Sequence, residues 1–326
     1  MITRRDFLTL TATGLLTLTL PNFSYANLSV AEKRRGELLE LYHTRKPKEI
    51  KNHRELVEDE KNSYEKVTFL SSINLPEIPP HPINLEIYGS NGPVIMIPPA
   101  LGGISKIERT MGKYYAENNF RTILVGFPIG YAEMIGSGIA KVTSPEEIIN
   151  FSNSFNKGYE QAVIDHLQVI DWIEQNLPGK KGALGLSLGG IITTSLMGLD
   201  NRLDSAVLML AGGNLHQVIA YSNQSAIIDL RERVLEKIGK DQEWLKEELK
   251  GKINLDPMNL TQYIDPNKIL LITAGNDGVV PTSLELEARF PKSEKMHLNG
   301  LGHSSSAIAW PNAKHRIKDF FEEHLL

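Results

Sequence analysis

Short runs that are apolar at nearly every position recur along this chain with helical patterns between them, and that alternation restricts the fold more than any other feature. The β-prone runs are Val67–Leu70, Ile83–Tyr88, Val94–Ile97, Thr122–Phe127, Gly182–Leu186, Ala206–Leu210, Ile269–Thr273 and Glu294–Leu298. The central runs place apolar side chains on both faces of a strand, so both faces must be covered, as they are in a parallel sheet. The clearest helical pattern sets Phe155, Tyr159, Val163, Leu167, Ile170, Ile173 and Leu177 at spacings of three and four, one apolar stripe. Near the C-terminus, Pro311 followed by Ile317, Phe320, Phe321 and Leu325 on one face predicts a last helix packed on the sheet. The expected architecture is an α/β domain over residues 67–326, a mostly parallel central sheet flanked by helices. A chain of 326 residues is long enough to bury such a core.

One stretch departs from the rhythm. Residues 213–266 carry no strand pattern but two helical ones, Ile227-Leu230-Val234-Ile238 stopped at Gly239 and Trp244-Leu245-Leu249 stopped at Gly251. This insertion leaves the end of a strand, where sites form in α/β sheets, and is read as a helical lid, with structural padding as the alternative. Residues 27–66 are charged and hold Leu38, Leu39 and Leu41, which predicts a helical extension leading into the fold. Residues 1–26 open with Thr3-Arg4-Arg5-Asp6-Phe7-Leu8, continue uncharged from Thr9 to Leu20 and reach Ser24-Tyr25-Ala26. These look like the three regions of a twin-arginine export signal, which would be removed from the mature protein. The apolar run is short, rich in threonine and followed by Pro21, unlike the roughly 20 apolar residues of a membrane anchor. The expected location is the bacterial periplasm or the medium, with no stable membrane anchor after removal.

Composition narrows the chemistry. The chain has no cysteine, which excludes thiol catalysis, disulfides and thiolate metal sites. Its 35 Lys+Arg against 39 Asp+Glu provide no basic surface for nucleic acid. The chemistry then falls on three loops that follow three strands. After Gly182–Leu186 comes Gly185-Leu186-Ser187-Leu188-Gly189, a serine between glycines at a strand-to-helix turn, the setting of an exposed nucleophile; a Gly-rich turn that packs a helix tightly on a strand is the plainer alternative. A serine hydroxyl needs a base, and the base needs a partner that fixes its tautomer. Asp277 lies just beyond Ile269–Thr273 and His303 in a Gly-rich loop beyond Glu294–Leu298. An Asx turn is the alternative for Asp277 in Asn-Asp-Gly. His166, on the long helical pattern, is read as packed or solvated, and His216, at the entrance of the insertion, as a surface residue ahead of a substrate contact.

The order Ser187, Asp277, His303, with the G-x-S-x-G turn, resembles the α/β-hydrolase family from Ile83 to the C-terminus apart from the insertion. The resemblance implies a Ser-His-Asp serine hydrolase with no cofactor and no metal, acting on a small-molecule carboxylic ester; amide or thioester hydrolysis and a non-catalytic ligand-binding protein are the alternatives. It also implies two N–H donors for an oxyanion. One is Leu188, immediately after the nucleophile. The other comes from Pro98-Pro99-Ala100-Leu101-Gly102-Gly103, where the family's usual His-Gly is replaced by two prolines that have no N–H. Register against the family favours Ala100, with Leu101 as the other possibility. Leu101, Tyr131, Leu215 and Tyr221 are expected substrate contacts from the segments around the site, including the loop 128–153, and core packing explains such apolar residues equally well. No oligomeric state is legible.

Overall fold

The structure, a computed structural model, describes residues 30–59, 62–126, 131–308 and 310–326. Nine strands, β1 (Asn52–Asp59), β2 (Asn62–Leu70), β3 (Pro82–Tyr88), β4 (Val94–Ile97), β5 (Arg121–Val125), β6 (Lys181–Leu186), β7 (Ser205–Met209), β8 (Ile269–Asn276) and β9 (Glu294–Gly302), form one sheet in the order β1-β2-β3-β5-β4-β6-β7-β8-β9. The β1-β2, β2-β3 and β3-β5 pairs are antiparallel, and every pair from β5-β4 to β8-β9 is parallel. The helices before the insertion are α1 (Val30–Arg45), α2 (Lys106–Glu117), α3 (Tyr131–Ala140), α4 (Ile148–Asn176) and α5 (Leu188–Leu199). Those that follow are α6 (Leu215–Tyr221), α7 (Ser225–Ile238), α8 (Gln242–Leu249), α9 (Pro257–Leu260), α10 (Ser283–Arg289), α11 (His303–Ile308) and α12 (Trp310–Leu325).

The apolar strands are covered twice, as their sequences require. Ala206 and Leu208 of β7 and Ile269 and Leu271 of β8 belong to one core layer with α1, α4 and α5. Their neighbours Val207, Met209, Leu270 and Ile272 belong to a second layer with α2 and α12. Successive residues of a strand point to opposite faces, so continuous burial of β7 needs both layers.

The insertion is helical from α6 to α9, and Gly239 ends α7 with φ 65°, the left-handed cap its sequence predicts. Its apolar residues Val234, Leu245, Leu249, Leu255 and Leu260 are buried in the same layer as α4 and α5. Gly198 of α5 admits Leu260, because a Cβ there would stand 2.6 Å from Leu260 Cβ.

Two expected segments differ from their sequence reading. The described residues of 27–66 hold α1 and then β1 and the start of β2; the alternating charged residues of β1 suit a hairpin at the sheet edge, where the expectation was a helical extension. The supposed loop 128–153 carries α3 and the start of α4 where it is described, joined by an irregular stretch and a 3-10 turn over residues 141–147. Helix α1 is tied down by Arg34 on Glu160 at 2.5 Å and by Tyr42, whose hydroxyl donates to Leu167 O at 3.1 Å and to Asp171. Burial pushes the Tyr42 hydroxyl above its ordinary pKa. The expected export signal, residues 1–26, lies outside the described residues, and no described helix is long and apolar enough to cross a membrane.

Candidate active site

Strands β6, β7, β8 and β9 are parallel neighbours, so the loops at their C-terminal ends meet along one edge, the location of sites in such sheets. Ser187 sits between β6 and α5 with φ 56° and ψ −120°, a strained backbone for a residue with a Cβ. The strain is held from both sides. Ser187 N–H donates to Met209 O of β7 at 2.9 Å, and Ser187 O accepts Ile191 N–H at 3.0 Å to start α5. The flanking glycines are steric necessities: a Cβ on Gly185 would lie 2.5 Å from both Gly190 Cα and Thr193 Oγ1, and one on Gly189 would lie 2.5 Å from Pro98 O.

The three candidate residues meet in one hydrogen-bonded chain. Ser187 Oγ is 2.9 Å from His303 Nε2, and His303 Nδ1 is 2.9 Å from both oxygens of Asp277. A carboxylate only accepts, so Nδ1 carries the proton and Nε2 is left to accept from the serine hydroxyl. The Asp277 side chain is 2 % exposed and that of His303 11 %. Asp277 Oδ1 also accepts the N–H groups of Val279 at 3.0 Å and Val280 at 2.8 Å, so an Asx-type turn and an acid facing the imidazole coexist in one residue. The insertion reaches this loop too, since Asn223 N–H donates to Gly278 O at 2.8 Å. A cavity of about 250 Å³ opens beside His303, lined by Asn223, Asn276, Gly278, Val279 and Ser304 among others.

In the loop after β4, one of the two expected oxyanion donors has an acceptor of its own. Ala100 N–H donates to Glu108 Oε1 at 3.3 Å. Leu101 N–H donates to no described residue, and neither does that of Leu188. The Pro98–Pro99 segment lies against Gly189, which sets this loop beside the first turn after Ser187.

Two of the expected substrate contacts have ordinary partners. Leu215 is buried in the main core layer and its N–H donates to Asp256 Oδ2 at 2.7 Å. The Tyr221 hydroxyl is bonded to Glu243 on the insertion's surface. Leu101 is 42 % exposed. The described side chains of α3 begin at Met134, so Tyr131 lies outside them. His166 is fully buried, donates from Nδ1 to Ala162 O at 2.7 Å, and is pushed down to about 4 by burial, a packed neutral imidazole. Burial also lowers the pKa of His216. Sequence reasoning missed Glu108, Asn223 and Asp256; only Glu108 had a usable signal, the Ser105-x-x-Glu108 spacing of a capping box. Among the described residues, no group of three His, Asp or Glu side chains is placed to hold a metal.

A mostly parallel sheet flanked by helices, with a serine at positive φ on a strand-to-helix turn, is the α/β-hydrolase fold. No family model matches the chain, and no curated protein matches it. Solved structures do. An acetyl xylan esterase from Paenibacillus sp. R4 superposes with a TM-score of 0.65 at 14% identity, covering 93% of this chain and 96% of that one. Acetyl xylan esterase 1 from Thermoanaerobacterium sp. JW/SL YS485 gives 0.60 at 14%, covering 87% and 92%. Est1E from Butyrivibrio proteoclasticus gives 0.52 at 12%, covering 74% and 94%. At these identities the likeness is one of fold.

Proposed function

We propose that this protein is a serine hydrolase that cleaves small-molecule carboxylic esters. The observation that carries the reading is the Ser187–His303–Asp277 chain of 2.9 Å hydrogen bonds, built on a serine whose backbone is held at positive φ. In the first step Ser187 Oγ attacks the ester carbonyl carbon while His303 Nε2 takes the hydroxyl proton, and the charge that forms on the imidazole faces Asp277. The carbonyl oxygen becomes an oxyanion held by the N–H groups of Leu188 and Leu101. Collapse of that intermediate expels the alcohol, which takes the proton back from Nε2. Water deprotonated by His303 then attacks the acyl-enzyme, the carboxylic acid departs, and Ser187 recovers its proton.

Ester is placed ahead of amide and thioester because the proteins of similar fold named above carry esterase names. In this reading Asn223 makes the insertion one wall of the substrate approach, through the cavity beside His303. Turnover of p-nitrophenyl esters of graded acyl length tests the proposal. Ser187→Ala and His303→Ala are each expected to lower it by several orders of magnitude, with the double variant scarcely worse than either, since residues acting as one unit are non-additive. Turnover retained in Ser187→Ala would contradict the mechanism.

Residues 1–26 are proposed to direct export by the twin-arginine route, on the Arg4-Arg5 motif and the uncharged run behind it. Arg4→Lys with Arg5→Lys is expected to keep the protein out of the periplasm. Efficient export of that double variant, read by cell fractionation, would exclude the route.

A further inference from the structure

Glu108 is 1 % exposed, and a carboxylate so deeply buried is costly unless its oxygens are hydrogen-bonded. Among the described residues no cation pairs with it. Its donors all come from the oxyanion loop: Ala100 N–H on Oε1 at 3.3 Å, Ser105 N–H on Oε2 at 2.9 Å, and the Ser105 hydroxyl. The Ser105 bonds complete the capping box of α2. The Ala100 bond is no part of that box and ties down backbone eight residues upstream, so one carboxylate clamps both ends of the segment 100–105.

The segment between the clamped ends is also constrained. Ala100 O accepts Gly103 N–H at 3.1 Å, and Gly102 and Gly103 take φ 109° and 88°, which side-chain-bearing residues rarely adopt. In a trans peptide the N–H and C=O point in opposite directions. With the Ala100 carbonyl turned into the loop, the Leu101 N–H is turned out of it. On the loop's other side Pro98 O stands against Gly189, one residue past Leu188.

From this geometry we infer that Glu108 is the positioning residue of the oxyanion hole: by engaging the backbone N–H groups of Ala100 and Ser105, which Ser105→Ala would keep, it holds the loop so that Leu101 N–H, and not that of Ala100, faces the tetrahedral intermediate. The inference rests on the serine-hydrolase reading. It assigns Glu108 no contact with substrate. Its effect therefore falls on the steps in which the oxyanion forms and leaves substrate binding nearly unchanged.

The test compares Glu108→Gln and Glu108→Ala with Ser105→Ala, which weakens the helix cap but keeps the bond to Ala100. For a reactive p-nitrophenyl ester both Glu108 variants are expected to lose kcat, on the order of 10²-fold for Glu108→Ala and less for Glu108→Gln, with KM within about twofold, because small misplacement of a catalytic group has effects of that size. The rate of labelling by a fluorophosphonate, whose phosphoryl oxygen occupies the same hole, should fall in the same proportion. Ser105→Ala should lower the melting temperature and leave kcat near normal. A matching kcat loss in Ser105→Ala would reduce Glu108 to a helix cap and overturn the inference. So would normal kcat in both Glu108 variants, or failure of both to fold by circular dichroism. If the unmodified protein neither labels nor turns over ester, the hydrolase reading itself fails, and the inference with it; labelling of the unmodified protein at a rate shared by the Glu108 variants overturns the inference alone.

Discussion

At the scale of single residues, Asp277 is asked to do two things at once. Its Oδ1 is held by the N–H groups of Val279 and Val280, while both oxygens face His303 Nδ1. Asp277→Asn retains an oxygen for the backbone donors and so should fold normally. The amide then turns its NH₂ toward Nδ1, which moves the ring proton to Nε2 and leaves nothing to accept from Ser187. Turnover is expected to fall by up to about 10⁴-fold with an unchanged melting temperature, as expected for a wrong tautomer in an intact triad. An almost neutral effect in steady-state assays would show that another carboxylate orients the imidazole. That Ser187, Asp277 and His303 would be brought together was legible because each sits just past a strand and the three occur in one chain order. That Ala100 N–H has an acceptor in Glu108 was not legible, because that carboxylate is on the following helix and no spacing rule links a loop N–H to a carboxylate eight residues on.

At the scale of elements, eight of the nine described strands could be read from β-prone runs, and the ninth shows what such reading misses. β1 is Asn-His-Arg-Glu-Leu-Val-Glu-Asp, a charged edge strand; edges are guarded by charge, which removes the signal by which strands are found. The insertion was recognisable by its helical pattern, but its attachment was not, since burial of Leu255 and Leu260 depends on which helix faces them. Its residues complete the layer that also holds α4 and α5. Replacing 213–261 by a short linker is therefore expected to unfold the domain. A milder change makes the same point: Leu260→Ala should cost about 2–5 kcal/mol, the usual range for a cavity in a packed core, measured by urea denaturation. A cost near zero would mean that the insertion is a separable cover.

For the whole molecule, the long helix α4 is fastened to the antiparallel part of the sheet by a buried charge pair. His81 Nε2 lies 2.8 Å from Asp165 Oδ2 and its Nδ1 lies 3.1 Å from Pro79 O. The hydrogen bond to Asp165 raises the His81 pKa above its ordinary 6.5, and burial raises that of Asp165. Both shifts have the same sense: the folded pair keeps one shared proton to higher pH than the two groups do in the unfolded chain. The stability this supplies is fully present below the unfolded histidine pKa and is lost as pH rises through the folded one. Thermal unfolding followed upward in pH from below the unfolded histidine pKa should show the melting temperature falling with pH, and His81→Gln should flatten that slope. An equal slope in His81→Gln would remove the pair from the account.

The central claim is that these elements together present an activated serine, and covalent capture tests it most directly. Incubation with a fluorophosphonate, followed by intact mass and peptide mapping, is expected to add one phosphonyl group, on Ser187, and none in Ser187→Ala or in heat-unfolded protein. No adduct on the folded protein, or equal labelling of Ser187→Ala, would contradict it.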